Sequence, residues 1–280
     1  MPLSTVRLTM AGPLLVDAAV PMGYTPPEGS NGVWDELLGG TLERRGWLGR
    51  PLGATRWLAD EQPDLFAGRR LAELVTTNDA RVTAVAERVD AVALSPAASD
   101  FSIRVSGVRL GQPSDLVVNV EASAELSPHE HADSYRMLTV AVVPSGVARA
   151  SFKAQPSSPV AGQRFRGRYY FRNLAAGGYD VVIQAEGAGR ISIHAIAAHA
   201  AADVAVRAYE RGVILANPSH RSQLFALEKL FPATGLRRLQ ATSAQDAVVN
   251  NGGLVGGSVE LAAKDALFLL KTAGATQTGR

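Results

Sequence analysis

Three sets of side chains in this sequence have the makings of a chemical site. Asp35 and Glu36 directly follow Trp34. Two carboxyls are what hydrolysis of a glycosidic bond requires, facing one bond from roughly 5 to 10 Å apart with one held protonated. Neighbours on an extended backbone project to opposite sides, so Asp35 and Glu36 do not form such a pair with each other. Either Trp34 fills a core while the two acids cap a turn, or the indole stacks on a sugar ring while a carboxylate binds hydroxyls. In the second set, His129 and His131 flank Glu130, with Asp133 close behind. Histidines two apart on an extended chain share a face and have metal-ligand spacing. The other three histidines are scattered, so this segment reads as a polar surface loop and no metal site is expected. In the third set, Arg164, Arg166, Arg168 and Arg172 share parity, which puts all four on one face of a strand. That face is either solvated or directed at a sugar or a phosphate.

Several classes of chemistry are excluded. The chain has no cysteine, which removes disulfides, thiol catalysis and cysteine-ligated zinc. It contains no Gly-x-Ser-x-Gly elbow, and no Ser/His/Asp set that spacing can assemble. The glycines of Asn251–Gly257 read as a turn between strands, not as a phosphate-cradling loop that opens a helix. Among 280 residues, 28 Lys+Arg against 26 Asp+Glu leave a net charge of +2. The run from Arg164 to Arg172 is the only local basic cluster, and nucleic acid is not an expected partner. No apolar run approaches the roughly 20 residues of a membrane span, and Met1 to Arg7 lack the pattern of a secretory signal. The sequence leaves the location open: extracellular or at the cell surface if the chain is part of a larger exported protein, otherwise cytoplasmic. No cofactor is implied.

The elements that must position these groups are mostly strands. A short helix is expected between Ser4 and Val16, broken near Gly12-Pro13. A Gly/Pro-rich loop follows, and all three tryptophans (Trp34, Trp47, Trp57) fall in this part of the chain. A second short helix is expected over Leu65 to Leu74. From about Arg81 to Ala198 short apolar runs alternate with turn residues. Leu116, Val118 and Val120 share one face, with Val117, Asn119 and Glu121 on the other. Strands are expected at Phe101–Val105, Met137–Val143, Ala148–Phe152, Phe165–Phe171, Tyr179–Gln184 and Ile191–Ile196, the signature of an antiparallel β-sandwich or jelly roll. The last module carries strand candidates at Val204–Ala208, Gly212–Ala216, Leu224–Ala226, Leu236–Leu239, Ser258–Leu261 and Ala266–Leu270. Tyr135, Tyr169 and Tyr170 are expected in core packing or at a sandwich edge.

Short motifs then suggest a family. Gly212-Val-Ile-Leu-Ala-Asn-Pro218 and the close Asp265-Ala-Leu-Phe-Leu-Leu270 resemble the small β-sandwich that follows many bacterial TIM-barrel glycoside hydrolases. Trp34-Asp35-Glu36 and Leu48-Gly49-Arg50-Pro51-Leu52-Gly53 are similar to the end of such a barrel. Phe171 to Asp180 and Arg190 to His194 resemble an intervening carbohydrate-binding β-sandwich. The rest of the barrel, roughly two hundred residues with most of its catalytic carboxylates, has no counterpart here.

The resemblance implies a mostly β chain with a carbohydrate-binding-module-like sandwich, a small C-terminal β-sandwich and a short N-terminal α/β segment. The implied boundaries are 1–62 for the barrel-end segment, 63–201 for the sandwich, 202–272 for the terminal sandwich and 273–280 for the tail. The implied role is the carbohydrate-binding accessory part of a glycosidase-like protein that is not a complete enzyme. Tyr24, Trp34, Asp35, Glu36 and Trp47 are then the sugar-binding candidates, and a polysaccharide or oligosaccharide is the ligand. A barrel-bearing protein chain is a further partner class. The alternative is an interaction scaffold in a cell-envelope layer or larger assembly.

Overall fold

Alternation of apolar and polar side chains becomes strand almost everywhere in the described residues. The structure is a computed structural model that describes residues 2–18, 48–76, 82–83, 92–94, 101–124, 136–147, 153–157, 162–187, 191–241 and 246–272. In chain order, strands run β1 (Arg56–Trp57), β2 (Val75–Thr76), β3 (Val82–Thr83), β4 (Val92–Leu94), β5 (Phe101–Leu110) and β6 (Ser114–Ala124). Next come β7 (Arg136–Pro144), β8 (Lys153–Ser157), β9 (Arg164–Leu174), β10 (Gly177–Gly187), β11 (Ile191–His199) and β12 (Ala205–Ala208). The last are β13 (Gly212–Asn217), β14 (Gln223–Ala226), β15 (Leu236–Arg238), β16 (Leu254–Val255), β17 (Ser258–Leu261) and β18 (Asp265–Lys271). The helices among the described residues are α1 (Leu3–Leu15), α2 (Leu71–Leu74) and α3 (Leu227–Leu230), with a 3₁₀ turn at Leu58–Glu61. The fold is mostly β and antiparallel, as the patterning predicts. The expected strand over Ala148–Phe152 lies outside the described residues.

The chain divides into two compact units, residues 59–202 and residues 1–58 with 203–280. The first is a β-sandwich. One sheet has the order β2-β5-β10-β7-β8 and the other β3-β4-β11-β6-β9. Their inward faces share one core, in which Ile103, Val105, Val140, Val181 and Ile183 meet Leu116, Val118, Val120, Phe171 and Ile193. Each such side chain contributes about 1.5–3 kcal/mol through burial, and this apolar face fixes the register.

Gly167 sits at an inward position opposite Val120. A Cβ there would come within 2.6 Å of the Tyr169 hydroxyl, so only glycine lets that ring fold back over its own strand. Tyr169 is 2% exposed, and its hydroxyl bonds Ser157 Oγ at 2.6 Å. Beside it, the Gln155 amide takes the place of a neighbouring strand. Tyr170 N–H donates to Gln155 Oε1 at 3.1 Å, and Gln155 Nε2 donates to Tyr170 O. Edge strands β8 and β9, one from each sheet, are thereby joined, and no bare ladder is left at that position.

The expected helix over Leu65 to Leu74 is shorter. Asp64 Oδ1 accepts from Phe66 N–H at 3.0 Å and from Ala198 N–H at 2.9 Å, an Asx turn that competes with helix. Gly68 at φ +77 then delays the helix to Leu71.

The second unit is built on a six-stranded sheet of order β1-β12-β13-β18-β15-β16, with β14 and β17 paired separately. Segment Asn251–Gly257, expected as a turn, contains β16, because Leu254 and Val255 pair with Arg237 and Leu236. Helix α1 buries Met10, Ala11 and Leu15 against Ile214, Ala216, Ala266 and Phe268. The expected break near Gly12-Pro13 does not occur, since α1 continues through Pro13 to Leu15. Tertiary bonds hold the terminal carbonyls. Arg207 Nη1 and the Tyr209 hydroxyl donate to Leu14 O at 2.7 and 2.6 Å, and Thr55 donates to Leu15 O. These bonds satisfy groups that a helix end leaves open.

Candidate functional site

Tyr24, Trp34, Asp35, Glu36 and Trp47 lie outside the described residues, as do His129, Glu130, His131, Asp133 and Tyr135. The arginine series is described, and it does share one face. Strands β9, β6 and β11 lie side by side, and their outward residues fall into rows. Arg164 stands opposite Ser123 and Ser192, Arg166 opposite Glu121 and Ala195, Arg168 opposite Asn119 and Ala197, and Tyr170 opposite Val117 and His199. The surface therefore steps down from guanidinium groups on β9, through medium polar groups on β6, to small side chains on β11. Arg164 and Arg168 are four residues apart, so this wall is about 13 Å long at roughly 3.3 Å per strand residue.

One end of the face is covered, and among the described residues the other presents exposed guanidinium groups. At the covered end, Ala59 packs on Val117 and Tyr170. The Arg172 guanidinium lies 4.8 Å over the Tyr170 ring, and the Tyr170 hydroxyl donates to Asp115. Next along the face, Asp60 reaches in from the 3₁₀ turn. Its Oδ1 accepts from Asn119 Nδ2 at 2.9 Å and Arg168 Nη1 at 2.7 Å, and its Oδ2 from Arg166 Nη2 at 3.2 Å. Arg168 Nη1 also donates to Asn119 Oδ1 at 3.1 Å, so three planar groups form a closed, mutually oriented set. Burial pushes the Asp60 carboxyl up, but the bonds from Arg168 and Asn119 and the charges of Arg168 and Arg166 outweigh it and hold it below 3.8. His199 fixes the near edge, its Nδ1 at 3.0 Å from Gln62 O.

The open end carries the groups a ligand can reach. Arg166 and Arg164 are 57% and 52% exposed, and Arg164 pairs with Glu121. A bulge in β11 between Ile193 and Ala195 displaces His194 outward, where Nε2 meets Ser123 Oγ at 2.7 Å. Bulges re-aim side chains in this way. Donors and acceptors thus alternate over the face, with guanidinium, carboxylate, imidazole and hydroxyl groups each within a strand spacing of the next. No group of three or more His, Cys, Asp or Glu arranged to hold a metal occurs among the described residues.

Sequence parity located Arg164, Arg166, Arg168, Asn119 and Glu121 on strand faces. It did not bring in Asp60, which sits in a turn 108 residues from Arg168, or His194, whose direction depends on the bulge.

No family model matches the chain, and no curated protein sequence matches it. Solved structures similar to it include the xylan-binding module CBM15, with 15% identity, a TM-score of 0.36, and coverage of 45% of this chain and 89% of that one. A second is the C-terminal CBM6 of the marine laminarinase LamC from Zobellia galactanivorans, at 12% identity and TM-score 0.34, covering 46% and 95%. A third is the C-terminal family 22 carbohydrate binding module of Clostridium thermocellum Xyn10B, at 13% identity and TM-score 0.33, covering 50% and 92%. Likenesses this slight assign no ligand to the chain.

Proposed function

We propose that this chain is a carbohydrate-binding module that holds an extended polysaccharide over β6 and β11, against the arginine wall of β9. The observation that carries the reading is the ordered row Asp60–Asn119–Arg168–Arg166, continued by Glu121, Arg164, Ser123 and His194. Vicinal sugar hydroxyls both donate and accept, and planar guanidinium, amide and carboxylate groups meet them in pairs. Holding Asp60, Asn119 and Arg168 in one hydrogen-bonded set lowers the rotamer entropy lost on binding. The low profile of Ala195 and Ala197 leaves room for a chain lying along the strands.

The role as the accessory part of a glycosidase-like protein rests on the motif resemblances at Trp34–Glu36, Leu48–Gly53 and Gly212–Pro218. The test is affinity electrophoresis of the full chain in gels containing xylan, β-glucans, mannans and pectins, with Arg166→Ala and Trp34→Ala run beside it. Retardation that Arg166→Ala weakens at least tenfold is the expected result. Retardation abolished by Trp34→Ala and untouched by Arg166→Ala would move the site to the N-terminal candidates. No retardation on any polymer would remove the reading.

A further inference from the structure

The other sheet of the sandwich carries a concavity on its outward side that the arginine face leaves unexplained. It is an open depression of about 820 Å³ where β5 and β10 meet the turn after β7, with Gly111, Ser145, Gly146, Gly177, Gly178 and Asp180 among its lining residues. Ligand pockets typically measure roughly 300–1,000 Å³. A Cβ added at Gly111, Gly146 or Gly177 would meet nothing within 4 Å, so open space lies over each. Gly146 and Gly177 adopt φ +79 and +150, conformations that favour glycine and so keep side chains off this surface. Peptide groups therefore face the cavity directly.

Asp180 lines that surface with only a small part of its side chain exposed, 7%, and supplies an acceptor there. A register shift between Tyr179 and Asp180 pairs Asp180 with Ser106 on the outward side of β5. The carboxylate is fixed, Oδ1 accepting from Ser145 Oγ at 2.8 Å and Oδ2 from Arg104 Nη1 at 2.9 Å. Each carboxylate oxygen has two lone pairs, so a bound hydroxyl can share either one. Asp180 disfavours an anion here, while Arg104 beside it and Arg109 in the lining disfavour a metal cation. The lining holds no aromatic ring among the described residues, so a flat heterocycle has nothing to stack on. A neutral polyhydroxylated ring satisfies all of these conditions.

We propose that this concavity is a second ligand site that takes one or two rings of a neutral sugar, bound to Asp180 and the exposed peptide groups without stacking. It is independent of the arginine face, being built by the other sheet. Titration of the ¹⁵N-labelled full chain with cellobiose, xylobiose, lactose and maltose tests it. At least one of the four should give saturable amide shifts at Gly146, Gly177 and Gly178. Gly111→Trp places a ring in the cavity at a backbone position any residue adopts, and should weaken that binding at least tenfold with the melting temperature unchanged. Asp180→Asn keeps the side-chain shape and should also weaken that binding at least tenfold, with some loss of melting temperature because the charge paired with Arg104 is removed; this decides the matter if the tryptophan variant does not fold. Arg166→Ala should leave the shifts intact. Absence of saturable shifts with all four sugars, equal affinity in folded Gly111→Trp, or shifts lost in Arg166→Ala would each overturn the proposal.

Discussion

Two arginine–carboxylate networks, one in each unit, use the same chemistry for different ends. In the unit of residues 1–58 and 203–280, Arg7 Nε and Nη2 donate to the two oxygens of Asp265 at 2.8 and 2.9 Å. Arg7 Nη1 reaches Asp246 at 3.2 Å, and Nε also reaches Ala266 O. The Arg7 and Asp265 side chains are 5% and 7% exposed, and that of Asp246 is 23% exposed. In the sandwich, Arg168 and Asp60 are 15% and 28% exposed; of their partners Arg166 is 57% exposed and Asn119 is buried. In the first network the Arg7–Asp265 pair is sealed and locks α1 to β18. The second keeps one side toward solvent, so its fixed groups can serve a ligand. Water access is what separates a fastening from a recognition surface.

The largest predicted effect follows from the sealed network. Asp265→Ala leaves the Arg7 charge buried without its main partner, which costs about 3–5 kcal/mol. Equilibrium urea unfolding should register that loss. The paired replacement Arg7→Met with Asp265→Leu should recover most of it, because desolvation of the ion pair is then avoided. A loss below about 1 kcal/mol in Asp265→Ala would mean that the pair is wetter than its geometry implies, and the contrast between the networks would collapse.

Asp60 comes next. Removing its side chain strands the buried Asn119 amide and the part-buried Arg168 guanidinium, but these two stay bonded to each other, so Asp60→Ala should cost about 1–2 kcal/mol, less than the sealed pair. The pH dependence has a definite sign. The folded carboxyl lies below its ordinary value of 3.8. Its contribution is therefore present above that value and is lost as pH falls through the lower folded one. Acid titration of stability should be shallower in Asp60→Asn than in the parent below about pH 4. Identical acid limbs would show that Arg168 and Arg166 do not hold the carboxylate ionised.

How much of this could be read beforehand differs between the two networks for a physical reason. A strand's period of two is local, so Leu116, Val118 and Val120 mark the core, and Arg164, Arg166 and Arg168 mark a shared face. The terminal strands Leu224–Ala226 and Ser258–Leu261 also emerge within a residue of their places at β14 and β17. Asp60 has no period to betray it, because its partners arrive through tertiary folding from 59 and 108 residues away. Arg7 is similar. Its partner Asp265 is 258 residues distant, and other distant groups, Arg207, Tyr209 and Thr55, bond the carbonyls at the end of α1 beyond Pro13, where local rules stop a helix. Local pattern thus announces faces and elements, whereas the charged pairs that complete each network join segments that patterning alone does not bring together.

The smallest predicted effect sharpens the comparison most. The Arg164–Glu121 pair joins side chains 52% and 36% exposed, and such pairs contribute about 0–1 kcal/mol. Glu121→Gln should therefore change unfolding free energy by no more than about 0.5 kcal/mol. It should also leave Arg164 freer at the open end of the face and replace a carboxylate acceptor with an amide. If the open end recognises hydroxyls, retardation in a polysaccharide gel should weaken several-fold while the melting curve stays put. The sealed network permits no such separation, because there any loss of partner is read first as unfolding. A Glu121→Gln chain that loses stability and keeps its binding would reverse the assignment, making this end of the face a fastening and moving recognition elsewhere on the sandwich.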